Sequence, residues 1–173
     1  MDGNILFSGP MIRAILEGRK TQTRRLATSP LAKRKPGDKL WIRERTMVDR
    51  VEGNKLWGTY VADGAPTGEV IIPLRIKRPT AGFCMSMGCF KGAHRLEIAL
   101  KRVWIEPLQA ISEEDCIAEG ADKAPMVMGN DYLSPPESFK AGYRALWDSL
   151  HSVPKDSWDA NPDVVALEFE RIA

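Results

Sequence analysis

The chain has 173 residues, of which 43% are hydrophobic and 28% charged, and its formal net charge is +2. These values suit one globular domain with a sizeable core, and they exclude collagen-like, coiled-coil and wholly disordered chains. No apolar run approaches the roughly 18 to 20 residues of a membrane span, and no signal peptide is evident at the start, so we expect a cytoplasmic protein that does not bind membranes.

Positive charge is concentrated towards the N-terminal end. Residues 1–50 carry 12 Lys and Arg against 5 Asp and Glu, whereas residues 101–173 carry 7 against 14. Such a gradient creates a local positive field that attracts polyanions, which makes the basic third a candidate for binding RNA or a nucleotide. Docking of the basic and acidic surfaces on each other accounts for the gradient equally well.

The first predicted elements are a short strand at residues 5–7 and a helix that begins after Ser8 and stops at Gly18. Pro10 in the first turn and apolar residues at helical spacing support the helix. Residues 20–26 contain threonines and no helix signal, which favours a strand. A cluster of basic residues therefore lies where the first helix ends and the next strand begins.

The centre of the chain is predicted to be rich in strands. Prolines and a Lys-Arg-Lys run in residues 27–38 indicate an exposed basic loop. Residues 39–44 alternate as a strand does, and residues 56–62 and 70–77 predict two further strands. Pro73 places the last of these at a sheet edge or a bulge.

The second half begins with residues 80–93, which are rich in Gly, Met and Cys and predict a loop. Residues 95–105 alternate over the longest stretch and predict a central strand. Ser112 as N-cap and Gly120 as stop delimit a short helix.

Residues 121–137 are irregular and precede a clearer helix that begins at Ser138 and carries one apolar stripe. Residues 164–172 alternate and should close the sheet. Six or so strands with few, scattered helices predict an α+β fold, a small mixed barrel, in a single domain over residues 1–173.

The strongest local feature is Gly18-Arg19-Lys20-Thr21-Gln22-Thr23-Arg24-Arg25. A lysine acts as a base only when burial or neighbouring cations lower its pKa, and the adjacent arginines supply cations. Lys20 is therefore a candidate base and Thr23 a candidate nucleophile. An ordinary basic strand edge in contact with water or phosphate also accounts for the spacing.

Acidic residues supply two further candidates. Glu119 lies in the last turn of its predicted helix, where an acid opposes the helix dipole, and such departures concentrate at functional sites. A salt bridge to Lys20 or Arg25 would explain it equally well. Arg43 and Glu44 form the third candidate, with a cross-strand ion pair as the alternative.

No metal or cofactor is predicted. Cys84, Cys89, His94 and Cys116 include residue types that suit zinc, but their spacing does not match the usual cysteine knuckles. An odd, sparse set of cysteines favours reduced thiols. P-loop, G-x-S-x-G and H-E-x-x-H patterns are all missing from the sequence, which removes the common nucleotidase and hydrolase classes.

The pattern Gly18-x-Lys20-x-x-Thr23-x-Arg25 resembles the signature of the ASCH domain, a PUA-like superfamily of small RNA-associated β-barrels. Three further segments resemble phage and prophage ASCH proteins: residues 5–7, 37–44 and 108–120. The resemblance spans nearly the whole chain. It implies one ASCH domain with insertions near residues 80–93 and 121–137, and RNA or a modified nucleoside as the partner.

Some small bacterial ASCH proteins are amidohydrolases that remove the acetyl group of N4-acetylcytidine with a lysine, a threonine and a glutamate. The resemblance implies that Lys20 activates Thr23 for attack on the amide carbonyl, while Glu119 holds or relays the proton. Arg25 would orient the substrate or support the motif. A ribonuclease with the same basic cleft is the enzymatic alternative.

A module that binds RNA without catalysis is the main rival. Lys20, the two arginines and the basic loop would then contact phosphates, and Trp41 or Trp57 would stack on a base. A phage protein that uses the fold only as a scaffold is a third possibility. Five residues are expected to bind the substrate: Arg24, Arg25, Trp41, Arg43 and Glu44.

Overall fold

The computed structural model describes residues 3–85, 89–121 and 138–173. In chain order the elements are β1 (Gly3–Leu6), α1 (Gly9–Leu16), β2 (Gln22–Leu26), β3 (Lys39–Arg43), β4 (Thr46–Glu52), β5 (Lys55–Tyr60), β6 (Val70–Ile71), β7 (Cys84–Met85), β8 (Glu97–Pro107), α2 (Glu113–Ala118), α3 (Phe139–Leu150) and β9 (Asp163–Arg171). This mixture of mainly antiparallel strands and scattered helices confirms the α+β class. Residues 122–137 and 86–88, which include most of one predicted insertion and part of the other, lie outside the described residues.

The chain divides into two compact units. The first comprises Met1–Glu17, Asp38–Ala99 and Arg171–Ala173, and the second comprises Gly18–Gly37 and Leu100–Glu170. Strand β8 begins in the first unit and continues in the second. The prediction of one domain over the full chain therefore stays a prediction, and each unit is described by itself.

The first unit holds two sets of paired strands. β1 runs parallel to β3, and β3 runs antiparallel to the first residues of β8. The second sheet has the order β6-β5-β4-β7 and is antiparallel. In β3, Leu40 and Ile42 are fully buried and alternate with the partly buried Trp41 and Arg43, as the period of two requires.

Three strands of the first unit differ from the prediction, and one of them is the two-residue β7, which lies within the predicted loop of residues 80–93. β6 covers only Val70–Ile71 of the predicted residues 70–77, because Pro73 lacks the N–H that a continuing ladder needs. It lies at the sheet edge, as predicted. β4, which was not predicted, is a true strand with a bulge between Val48 and Arg50. Its exposed charged residues hide the alternation that would reveal it.

The second unit packs two helices and a sheet segment around one core. β2 runs antiparallel to β9, with Thr23 opposite Leu167, and β9 lies between β8 and β2. The core consists of Leu108, Ile111, Cys116, Ala121, Tyr143, Trp147, Trp158 and Val164.

The helix boundaries of this unit follow local signals. The Ser112 side chain accepts a hydrogen bond from the Asp115 N–H and begins α2, as predicted. Ser138 caps α3 in the same way through the Ala141 N–H. No helix in the described part of the chain is both long and apolar enough to cross a membrane.

Candidate functional site

The position of Lys20 is fixed by the backbone on both sides of it. Gly18 has a φ of +75°, a left-handed conformation that suits glycine and turns the chain out of the first helix. The Thr21 N–H then donates to the Ala118 carbonyl at 2.8 Å, and the Thr21 carbonyl accepts from the Phe169 N–H at 2.8 Å. Lys20 therefore lies outside the regular strand and beside the C-terminal end of α2.

The Lys20 ammonium is buried, and three protein acceptors surround it. Nζ donates to the Gln22 carbonyl at 2.7 Å, to the Glu119 carbonyl at 2.7 Å and to Glu119 Oε2 at 2.8 Å. An ammonium has three N–H donors, so each finds an acceptor. Lys20 and Glu119, which are 99 positions apart in the chain, form one buried ion pair, with side chains 0% and 3% exposed.

The Glu119 carboxylate also contacts a guanidinium and a phenol. Its Oε1 lies 3.5 Å from Arg24 Nη1 and 3.5 Å from the Tyr143 hydroxyl. The residue follows the last turn of α2, where its charge opposes the helix dipole. Attraction to the two cations offsets that unfavourable position, and it is this contact with Lys20 that the sequence suggested as an alternative explanation.

Arg24 is enclosed by carboxylates and an amide. Its Nε donates to Glu106 at 2.8 Å, Nη2 to Asp115 at 3.1 Å and Nη1 to the Gln22 side chain at 3.1 Å. Burial lowers its pKa, but the charges of Glu119 and Glu106 outweigh that effect and raise the pKa above its ordinary value. Arg24 therefore directs its donors at protein acceptors and orders the carboxylates around it.

Thr23 is fully buried in β2 and contacts Arg25. Its Oγ1 accepts a hydrogen bond from Arg25 Nη1 at 2.8 Å, and the same nitrogen donates to the Arg24 carbonyl at 2.9 Å. The two residues share one face of the strand, two positions apart. Because the cation donates to the hydroxyl oxygen, the hydroxyl proton of Thr23 is left to point at another acceptor.

Burial sets the protonation of this cluster. It lowers the pKa of Lys20 below 10.5, an effect that the charge and hydrogen bond of Glu119 offset in part and that Arg25 and Arg24 reinforce. Burial also raises the pKa of Tyr143 well above 10.0, with Glu119 adding to the shift. The Lys20 ammonium therefore gives up its proton more readily than a lysine in water, and the Tyr143 phenol gives up its proton less readily.

Three members of the cluster were not identified from the sequence: Glu106, Asp115 and Tyr143. Tyr143 belongs to the apolar stripe of α3, yet a buried tyrosine hydroxyl needs a polar partner, and that requirement was the available signal. The two carboxylates carry no such signal because they look like ordinary surface acids.

The other predicted substrate contacts, Trp41, Arg43 and Glu44, lie in the first unit. Glu44 is 1% exposed and accepts from Arg95 Nε and Nη2 at 2.8 Å each, while Arg95 also binds Asp63 through Nη1 at 2.8 Å. Glu44 thus forms an ion pair, but with Arg95 and outside the strands, not the cross-strand pair that the alternative described. Trp41 and Arg43 line a cavity of about 490 Å³.

The residues considered for zinc contact different partners and not one another. Cys84 Sγ accepts from Arg45 Nε at 3.1 Å, Cys89 is buried, and His94 contacts Glu97 at 2.9 Å. Within the described ranges no group of three or more His, Cys, Asp or Glu side chains could hold a metal ion.

Comparisons with known proteins give three similar solved structures, although no protein-family profile and no curated protein matches the sequence. Protein EF3133 from Enterococcus faecalis V583, of family DUF984, has a TM-score of 0.48 at 12% identity over 99% of this chain and 81% of its own. The hypothetical protein PH0355 has a TM-score of 0.46 at 14% identity over 99% and 100%. An ASCH domain from Lactobacillus crispatus JV V101 has 0.43 at 11% identity over 93% and 69%.

Proposed function

We propose that this chain is an ASCH-domain protein of the phage or prophage type that hydrolyses the amide bond of N4-acetylcytidine or a related acylated nucleoside. The working residues are Lys20, Thr23 and Glu119. The proposal rests first on the motif that begins at Gly18, which resembles that of the known amidohydrolases.

The observation that carries the proposal is the burial of Lys20 beside Glu119. A basic strand edge that only contacts phosphate would keep its ammonium in water, where the charge is well solvated. Lys20 instead lies in a site that lowers its pKa, as a lysine base requires. Thr23 is three positions after Lys20 in the sequence, and its Oγ1 accepts a hydrogen bond from Arg25.

The chemistry has two steps. Lys20 in its neutral form removes the Thr23 proton as Oγ1 attacks the acyl carbonyl, whose oxygen takes up the negative charge, while Arg25 holds Oγ1 in place through its hydrogen bond. The tetrahedral intermediate collapses, the C–N bond breaks, and the departing cytidine amine takes the proton through Lys20 and Glu119. Water then attacks the acyl-threonine ester, and Lys20 takes a proton from this water and returns it to Thr23 Oγ1 as the ester bond breaks. Acetic acid leaves and loses its proton to solvent, and the Thr23 hydroxyl is restored.

Binding of RNA without catalysis is the second candidate, and exposed charge supports it. Lys33 and Lys35 are exposed on the basic loop of the second unit. By contrast, Lys20 and Arg24 are enclosed by protein acceptors, which removes two of the cations that this candidate assigned to phosphate. The candidate of RNA binding therefore depends on the basic loop that carries Lys33 and Lys35.

The test is to incubate the purified chain with N4-acetylcytidine and to follow cytidine by chromatography. We expect Thr23→Val, which removes the hydroxyl but keeps the shape, to lose at least about a hundredfold in rate, because nucleophile and base act as a unit. Thr23→Ser keeps a hydroxyl and is the matched control that should retain turnover.

Two results would contradict the proposal: no cytidine released by the unmodified chain, or undiminished release by Thr23→Val. In that case RNA affinity should be measured against salt. A steep loss of affinity with rising salt, reduced when Lys33 and Lys35 are both changed to Gln, would favour the binding module.

A further inference from the structure

The cavity of the first unit combines aromatic rings with positive charge. Its volume is about 490 Å³, within the range of about 300–1,000 Å³ that is usual for small-molecule sites. Trp41, Phe83 and Phe90 supply rings, and Arg43, Lys77 and Lys91 supply cations. Among the described residues that line it there is no Asp or Glu.

The aromatic part is held in place by the core of the unit. Trp41 and Phe90 pack against the buried cluster that includes Val48 and Leu56. Phe83, at the rim, is 52% exposed. The cavity therefore offers a supported apolar wall and one ring that is open to solvent.

The cations are placed to receive an anion. Trp41 and Arg43 are two positions apart on β3 and share a face of the strand. Lys77 and Lys91 are exposed. Within the described ranges Arg43 and Lys77 have no carboxylate partner, in contrast to Lys55 of the same unit, which pairs with an acid.

We propose that this cavity binds a planar aromatic ring that carries a phosphate group, the chemistry of a nucleoside monophosphate unit. Stacking on the rings holds the planar part, since any base presents a π face. A phosphate monoester carries about −1.5 to −2 charges at pH 7, which suits three cations better than a carboxylate would. The site belongs to the first unit and does not depend on the proposed hydrolase.

The test is isothermal titration calorimetry of the whole chain with CMP, AMP, cytidine and inorganic phosphate. We expect CMP and AMP to bind, and cytidine and phosphate to bind at least about tenfold more weakly, because each lacks one half of the recognised chemistry. A 5′-phosphorylated RNA pentamer distinguishes the source: tighter binding than AMP identifies an RNA end, and equal binding identifies a free nucleotide.

Matched variants locate the binding site. Trp41→Leu and Lys77→Gln should each weaken AMP binding about fivefold or more, with folding checked by circular dichroism. Lys55→Gln is the control, since Lys55 pairs with Glu69 and does not line the cavity, and it should bind as the unmodified chain does. Equal binding of cytidine and CMP, equal losses in all three variants, or no binding of any probe would overturn the proposal.

Discussion

In the first unit the buried carboxylate of Glu44 pairs with Arg95, whereas in the second unit the buried carboxylate of Glu119 pairs with Lys20 and Arg24. Arg95 keeps a fifth of its side chain exposed and reaches a second, more exposed acid, Asp63. Lys20 is fully enclosed. Both units thus bury charge, but with different cations and different access to water.

The two pairs differ chemically because one contains the guanidinium of Arg95 and the other the ammonium of Lys20. A guanidinium keeps its proton in a protein, so the Glu44–Arg95 pair can only hold structure. A buried ammonium can lose its proton when burial lowers its pKa, as it does for Lys20. Both pairs therefore contribute to stability, but only the second unit's pair contains a cation that can give up its proton, and three predictions test that difference.

The largest expected effect is on Glu119→Gln. The change leaves Lys20 and Arg24 without their shared carboxylate, and removing one partner of a buried ion pair costs about 3–5 kcal/mol in the free energy of unfolding. Urea denaturation at pH 7 measures it. A loss below about 1 kcal/mol, the value typical of exposed pairs, would show that the network is more open to water than the structure describes.

A smaller effect is expected for Glu44→Gln. Arg95 loses a bidentate partner but retains Asp63 and some contact with water, so we expect a loss of about 1–3 kcal/mol, typical of a hydrogen bond to a charged group. N4-acetylcytidine turnover should persist in this variant. If turnover disappeared while the unfolding curve stayed in place, the division of roles between the two units would be wrong.

The smallest effect is a dependence on pH. Because the pKa of Lys20 is lower in the folded chain than its ordinary 10.5, the unfolded chain binds more protons between the two values, and stability rises with pH across that window. The slope is at most about 1.4 kcal/mol per pH unit. Tyr60 acts in the opposite direction, since burial raises its pKa to about 12 and its ionisation favours unfolding above pH 10.0.

The difference between the unmodified chain and Lys20→Met separates the lysine from Tyr60 and Tyr143, whose pKa values burial raises and which are present in both chains. The two free energies of unfolding are measured from about pH 7 up to the ordinary lysine pKa of 10.5, and the advantage of the unmodified chain should grow as the pH rises. A flat difference would mean that Lys20 holds its proton as firmly as in water, which also removes it as a base.

Elements with strong local signals were predictable. Ser112 and Gly120 delimit α2, and the long alternation before Pro107 marks β8, because capping and period-two burial depend on neighbours in sequence. β4 was missed because its exposed charges and its bulge interrupt the alternation. β6 ends after two residues because Pro73 cannot continue the hydrogen-bonded ladder.

The sequence by itself determined which residues carry the motif, where the main helices begin and end, and that Lys20 leaves a helix end at Gly18. Only the tertiary structure decided that Lys20 meets Glu119 and that Tyr143 joins them. Contacts between residues 24 to 99 positions apart depend on how strands and helices pack, and neither spacing nor composition encodes that packing locally. The same packing, through burial, decides how strongly Lys20 holds its proton.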